Sequence, residues 1–233
     1  MSRPEHVGRL DVSRLRTRSD AVVVERVVDE PLVVLGSSQP IELIARDTTL
    51  DVVRRRGGGG AVFVDPVETI WIDLWLPASS SLVRDVRGLL TGVGEHLRSV
   101  LGSLGVEGLL VVEPAGEVAP SVACFAALGF GELVDASGRK LLGLTAWRSR
   151  DGALVQSALY RTRDRQLPGV LSLEESERAV LGRVLEDEVS DLRSIAPRLG
   201  DDPLASHLIA GDLAALLGAD LERRGPEREP ATT

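Results

Sequence analysis

Three arginines, Arg54–Arg56, run directly into four glycines, Gly57–Gly60, and then into the apolar run Ala61-Val62-Phe63-Val64. Glycine lets a backbone approach a ligand closely, and bare N–H groups then donate to phosphate or carboxylate oxygens. The arginines add positive charge. Four glycines between two strand-like runs are an entropically costly hairpin, so the stretch reads as an anion cradle rather than a plain turn or a linker. It is not a P-loop, because no Gly-Lys-Ser/Thr follows. Two single residues carry chemistry as well. Of the 27 basic residues, 26 are arginines and one is Lys140. A compact ammonium suits a single oxygen where a guanidinium presents a planar fork. Taken alone, Lys140 reads as an exposed hairpin lysine. Cys124 is the one cysteine, so no internal disulfide framework exists. It is either a small buried hydrophobe or a nucleophile whose thiolate is favoured by Lys140 or by Arg54–Arg56. The histidines His6, His96 and His207 stand far apart, show no metal-ligand spacing, and none is placed to serve as a base for Cys124.

The elements that must position these residues are legible in outline. Residues 21–28, 32–35, 50–53, 61–64 and 108–114 read as strands rich in β-branched residues. Residues 69–76 alternate, with Ile70, Ile72, Leu74 and Leu76 on one face and Trp71, Asp73 and Trp75 on the other. A short helical piece starts at Pro40. Apolar residues from Leu82 to Leu104 recur at helix spacing, although interior glycines weaken an unbroken helix. Residues 116–131 read as loop. A meander follows, turning at Ala136-Ser137-Gly138 and again at Asp151-Gly152, a strong hairpin signal. Ser172 with Glu175 suggests a capping box before a helix over 175–192, and Asp202-Pro203 suggests the start of a last helix ending near Gly218. Strands first and helices last predict an α+β domain over 1–168, a helical segment over 169–222 and a disordered tail over 223–233.

Bulk properties narrow the function classes. The formal charge of −8 argues against a general nucleic-acid binder. No run approaches 18 apolar residues and the N-terminus lacks an apolar signal core, which predicts a soluble cytoplasmic protein. Aromatic residues are only 3% of the chain, so Val, Leu and Ala must fill the core.

The stretch "DVVRRRGGGGAVFVDP", followed much later by "GRKLLG", resembles the catalytic domain shared by lipoate-protein ligases, octanoyltransferases and biotin-protein ligases. The lipoate branch carries a pattern close to R-R-x-x-G-G-G-A-V-Y/F-H-D and a distant G-R-K-I-x-G-S-A-Q. Upstream, "LVVLGSSQP" resembles a family strand ending in L-G-x-x-Q. The resemblance covers roughly residues 20–165. It implies an α+β fold of mixed, largely antiparallel sheets flanked by helices. It implies a lipoyl or octanoyl group bound in an apolar tunnel, with Arg54, Arg55, Gly57, Gly58, Gly59, Gly60, Ala61 and Gly143 along the acyl-adenylate. Lys140 would stabilise charge on the acyl carbonyl or phosphate. The acceptor would be a lysine of a lipoyl-carrier domain. ATP with Mg would be needed by a ligase.

"ACFAALGFGELV" before "GRK" is similar to the cysteine-dependent octanoyltransferases, in which a C-F pair lies eight residues before E-L-V. That resemblance implies acyl carrier protein as donor and a Cys124 thioester, with no ATP. A catalytically silent acyl-binding relative is a third reading. The chain departs from the family pattern at Val64, where a histidine is usual, and at Gly57. It departs again at Gly143–Ala146, which replace G-S-A-Q, and at Gln156-Ser157, which replace H-G.

Overall fold

The computed structural model describes residues 7–9, 14–115 and 121–224. In chain order its strands are Val7–Arg9 (β1), Val22–Arg26 (β2), Leu32–Leu35 (β3), Asp51–Arg54 (β4), Val62–Val64 (β5), Thr69–Pro77 (β6), Leu110–Val111 (β7), Leu133–Val134 (β8), Lys140–Ser149 (β9), Gly152–Tyr160 (β10) and Asp220–Arg224 (β11). Its helices are Val86–Ser103 (α1), Leu167–Val170 (α2), Glu175–Asp187 (α3), Leu192–Ile195 (α4), Pro197–Gly200 (α5) and Ala205–Leu217 (α6). The strands form two sheets, ordered β1-β4-β3-β5 and β11-β2-β6-β10-β9-β8-β7. In the larger sheet every pairing is antiparallel except β11 with β2. In the smaller, β1, β4 and β3 run parallel and β5 runs antiparallel to β3. This is the mixed, largely antiparallel α+β architecture expected from the sequence.

The alternation in β6 divides the hydrophobic interior. Ile70, Ile72, Leu74 and Leu76 are buried with Leu89, Val93, Leu97 and Leu101 of α1 and with Ile209, Ala210 and Leu213 of α6. Trp71 faces the opposite way, into a second cluster with Val33, Val34 and Phe63 of the small sheet, Tyr160, and Leu181 and Leu185 of α3. The larger sheet therefore carries helices on one face and the smaller sheet on the other.

Several local expectations need correction. The helix at 86–103 runs unbroken through four glycines. Gly94 earns its place by contact, since a Cβ there would lie 2.1 Å from the Gly131 carbonyl oxygen. The capping box forms between Glu174 and Glu177, not between Ser172 and Glu175, and α3 ends at Asp187. The Ser172 N–H, which a capping box would need for the Glu175 side chain, donates instead to the Leu43 carbonyl. The last helix begins at Ala205 rather than Pro203 and closes on Gly218 in the left-handed conformation, φ +58. Arg223 and Arg224 belong to β11. The remainder of the expected tail, 225–233, lies outside the described residues, as do 116–120 of the expected loop.

Candidate active site

The glycine stretch connects β4 to β5, which are not neighbours, because β3 lies between them. The chain must cross the end of β3, and it does so in contact with Gly36, the residue after that strand. A Cβ on Gly36 would fall 2.0 Å from the Gly59 carbonyl oxygen. Gly59 itself has φ +90, a conformation that side chains other than glycine rarely adopt. Gly60 packs on the backbone of Ala123 and Cys124, where a Cβ would approach within 2.4–2.7 Å. Ala61 completes the junction: its N–H donates to the Val122 carbonyl at 2.7 Å, and its own carbonyl accepts from the Cys124 N–H at 2.9 Å. The glycine run thus docks directly on the segment that carries the cysteine.

Arg54 and Arg55 hold this crossing in place. The Arg54 guanidinium donates to the carbonyls of Gly36, Ser37 and Gln39. Arg55 is buried, and its guanidinium donates to the carbonyls of Gly58 and Gly60, both at 2.7 Å from Nη2. Burial pulls its pKa below the usual arginine range, opposed by the neighbouring Cys124 and Glu132. Arg56 instead lies over the Trp147 ring, 5.3 Å from the centroid. By pinning the carbonyls, the arginines leave the N–H side of the crossing for other partners. The N–H groups of Gly58, Gly59 and Gly60 donate to no acceptor among the described residues, and all three glycines line a cavity.

That cavity has a volume of about 530 Å³, and it gathers what the sequence separates. Gly58, Gly59, Gly60, Cys124 and Lys140 all line it, together with the apolar Val86, Leu90, Leu128, Phe130 and Leu144. Gln39 also lines it, accepting from the Gly36 N–H and donating to the Val122 carbonyl. Arg54, Arg55, Gly57, Ala61 and Gly143 stand behind this lining. Gly57 packs on Thr145, whose hydroxyl donates to the Gly58 carbonyl at 3.1 Å. Gly143 leaves room for both reactive side chains, since a Cβ there would lie 3.2 Å from Cys124 Sγ and 3.5 Å from Lys140 Cε.

Lys140 is not an exposed hairpin lysine. It begins β9 and is 1% exposed. Its Nζ donates to the Cys124 carbonyl at 2.6 Å and the Ala127 carbonyl at 2.7 Å, and it pairs with Glu132 Oε2 at 2.6 Å. Sequence reasoning gave Glu132 no role. The available signal was a lone carboxylate in the otherwise apolar "ACFAALGFGELV". Cys124 is partly exposed, at the start of a short 3-10 turn over Cys124–Ala126. Among the described residues no cluster of His, Cys, Asp and Glu suits a metal ion, and no helix is long and apolar enough to cross a membrane.

Solved structures match this arrangement of elements over most of the chain. A lipoate-protein ligase A bound with ATP aligns at TM-score 0.65 and 16% identity, over 92% of this chain and 80% of that one. The chain has the lipoate-protein ligase fold. A bi-partite lipoate protein ligase from Thermoplasma acidophilum, described with its E2 lipoyl domain, aligns with the same fold at TM-score 0.64 and 15% identity, over 88% and 74% of the two chains. Protein Ta0514 of T. acidophilum with bound lipoic acid gives 0.66 and 15%, over 93% and 82%. The sequence matches no protein-family model, and no curated protein matches it.

Proposed function

We propose that this protein transfers an activated lipoyl or octanoyl group to a lysine of a lipoyl-carrier domain, acting as a soluble cytoplasmic enzyme of the ligase or acyltransferase class. The observation that carries the reading is that one cavity is lined by Gly58–Gly60, Cys124 and Lys140 together with apolar side chains. A short acyl chain fits against Val86, Leu90, Leu128 and Phe130, while its carbonyl or phosphate oxygens meet the glycine N–H groups. Unengaged N–H donors fixed beside the reacting carbonyl stabilise developing negative charge without reorganising.

Two routes deliver the acyl group. In the first, the acid's carboxylate would attack the α-phosphate of ATP, with Mg assisting and pyrophosphate leaving; the carrier lysine amine would then take the acyl group and release AMP, with the glycine N–H groups available to a phosphate or carbonyl oxygen. The structural neighbours described with ATP and with lipoic acid support this route. In the second, the Cys124 thiolate attacks the thioester of an acyl carrier protein, whose thiol leaves. The carrier lysine amine then attacks the new thioester and the Cys124 thiolate is released. The space that Gly143 leaves at Sγ supports this route.

The routes separate when the protein is given an apo carrier domain with either octanoate plus ATP or octanoyl-acyl carrier protein, and masses are followed. A hydroxylamine-labile adduct on the protein, lost in Cys124→Ala, supports the thioester route. ATP-dependent transfer that survives Cys124→Ala supports the ligase route. Absence of transfer from both donors, with octanoyl-AMP still raising the melting temperature, replaces both with a silent binding relative.

A further inference from the structure

We infer that Glu132 is a positioning residue, which fixes Lys140 so that the ammonium clamps the turn carrying Cys124. The inference builds on the acyl-transfer reading above. Glu132 is 3% exposed, so its carboxylate is held in the interior and must be satisfied there. Oε2 pairs with Lys140 at 2.6 Å and also accepts from the Gly129 N–H at 2.6 Å, while Oε1 accepts from the Leu144 N–H at 3.2 Å. One carboxylate therefore ties together the end of the Cys124 turn, the strand β9 beneath it, and the ammonium between them.

The ammonium has three donors, and the chain takes all of them: the Cys124 carbonyl, the Ala127 carbonyl and Glu132. The Phe125 ring adds a fourth face, its centroid 5.4 Å from Nζ. Lys140 thus grips the turn at both ends of Cys124–Ala127, and Glu132 keeps the grip aimed. A buried cation without its carboxylate would either leave the site or lose its charge. In the first case the carbonyls of Cys124 and Ala127 would lose their donor, in the second they would keep only the weaker bonds of a neutral amine, and in both the thiol would be held less firmly beside Gly143 and the glycine crossing. Charge neutralisation has a second consequence. A substrate oxygen can recruit Lys140 only by taking the place of one of these three partners, so the resting site presents the glycine N–H groups first.

The experiment compares wild type, Glu132→Gln and the double variant Glu132→Leu/Lys140→Leu. Replacing both members of a buried ion pair with apolar residues of similar size is often tolerated, which keeps the test open if Glu132→Gln alone fails to fold. Two local readouts are taken on folded protein: the rate of Cys124 alkylation by iodoacetamide, and amide hydrogen exchange of a peptide spanning 124–129 against one from α1. The expected result is at least fivefold faster alkylation and faster exchange over 124–129 in both variants, with α1 unchanged. Alkylation and exchange within twofold of wild type would overturn the inference. For transfer, Glu132→Gln should lower kcat at least tenfold with KM within threefold, and Glu132→Asp should not restore it, because a carboxylate one methylene shorter cannot reach all three partners. If wild type transfers from neither donor, the acyl-transfer reading falls while the alkylation and exchange readouts still decide the role of Glu132.

Discussion

Gly143 keeps open the space that Cys124 and Lys140 share. A methyl at that position would lie 3.2 Å from the cysteine sulfur, closer than ordinary packing allows, and its other neighbours are Lys140 and Phe125. The sulfur is the contact that must give, and it sits on the turn held by the clamp. Gly143→Ala should therefore cost about 1–3 kcal/mol of stability as an overpacked position and reduce acyl transfer by more than tenfold. Denaturant titration and initial rates check the two parts separately, and wild-type rates in a folded variant would remove Gly143 from the account. Lys140 was legible in the sequence because it is the sole lysine and falls in a recognisable motif. Its burial was not legible, since burial depends on Glu132 and on two carbonyls whose approach only the folded turn creates. The arginines show the reverse case. Their side-chain type pointed to an anion, yet Arg54 and Arg55 spend their donors on carbonyls of the crossing itself.

At the level of elements, the strand pairing explains the glycines better than their flexibility does. The crossing from β4 to β5 passes the end of β3, and Gly36 and Gly59 make that passage possible by direct contact. Gly36→Ala forces a methyl into the Gly59 carbonyl oxygen at 2.0 Å and should cost about 3 kcal/mol or more. Gly58→Ala meets nothing within 4 Å and should stay within about 1 kcal/mol of wild type. Comparable melting temperatures for the two variants would contradict the crossing as described. The sequence showed all three strands but not that β3 lies between the two flanking the loop, because β3 pairs across distance and periodicity carries no information about partners. The displaced capping box has a similar origin: Ser172 is drawn into a contact with Leu43 that no local pattern records.

Across the whole molecule, the helical C-terminal part is woven into the domain. α6 shares the core with α1 and β6, and β11 extends the larger sheet beside β2. Helix spacing in 205–217 was readable, but which sheet it covers was not, since an apolar face does not name its partner. One buried group links this body to pH. Burial pushes the Asp164 carboxyl up to about 6 from the ordinary 3.8, aided by the charge of Asp65 and opposed by N–H groups of Gln166 and Leu167. Between those values the folded protein holds a proton that the unfolded chain releases. Stability linked to Asp164 therefore falls as pH rises from about 4 to about 6, by about 3 kcal/mol, and is level above that range. Asp164→Asn should remove this slope, so that wild type gains on the variant as pH is lowered from 7 to 4.5 in thermal melts. Parallel pH profiles would contradict the assignment. The central claim, that one cavity serves acyl transfer, is tested most directly by the intact mass of an apo lipoyl-carrier domain incubated with this protein and each donor in turn. The account predicts one octanoyl adduct on the carrier with at least one donor, abolished when the acceptor lysine is replaced. An unchanged carrier mass with both donors would contradict it.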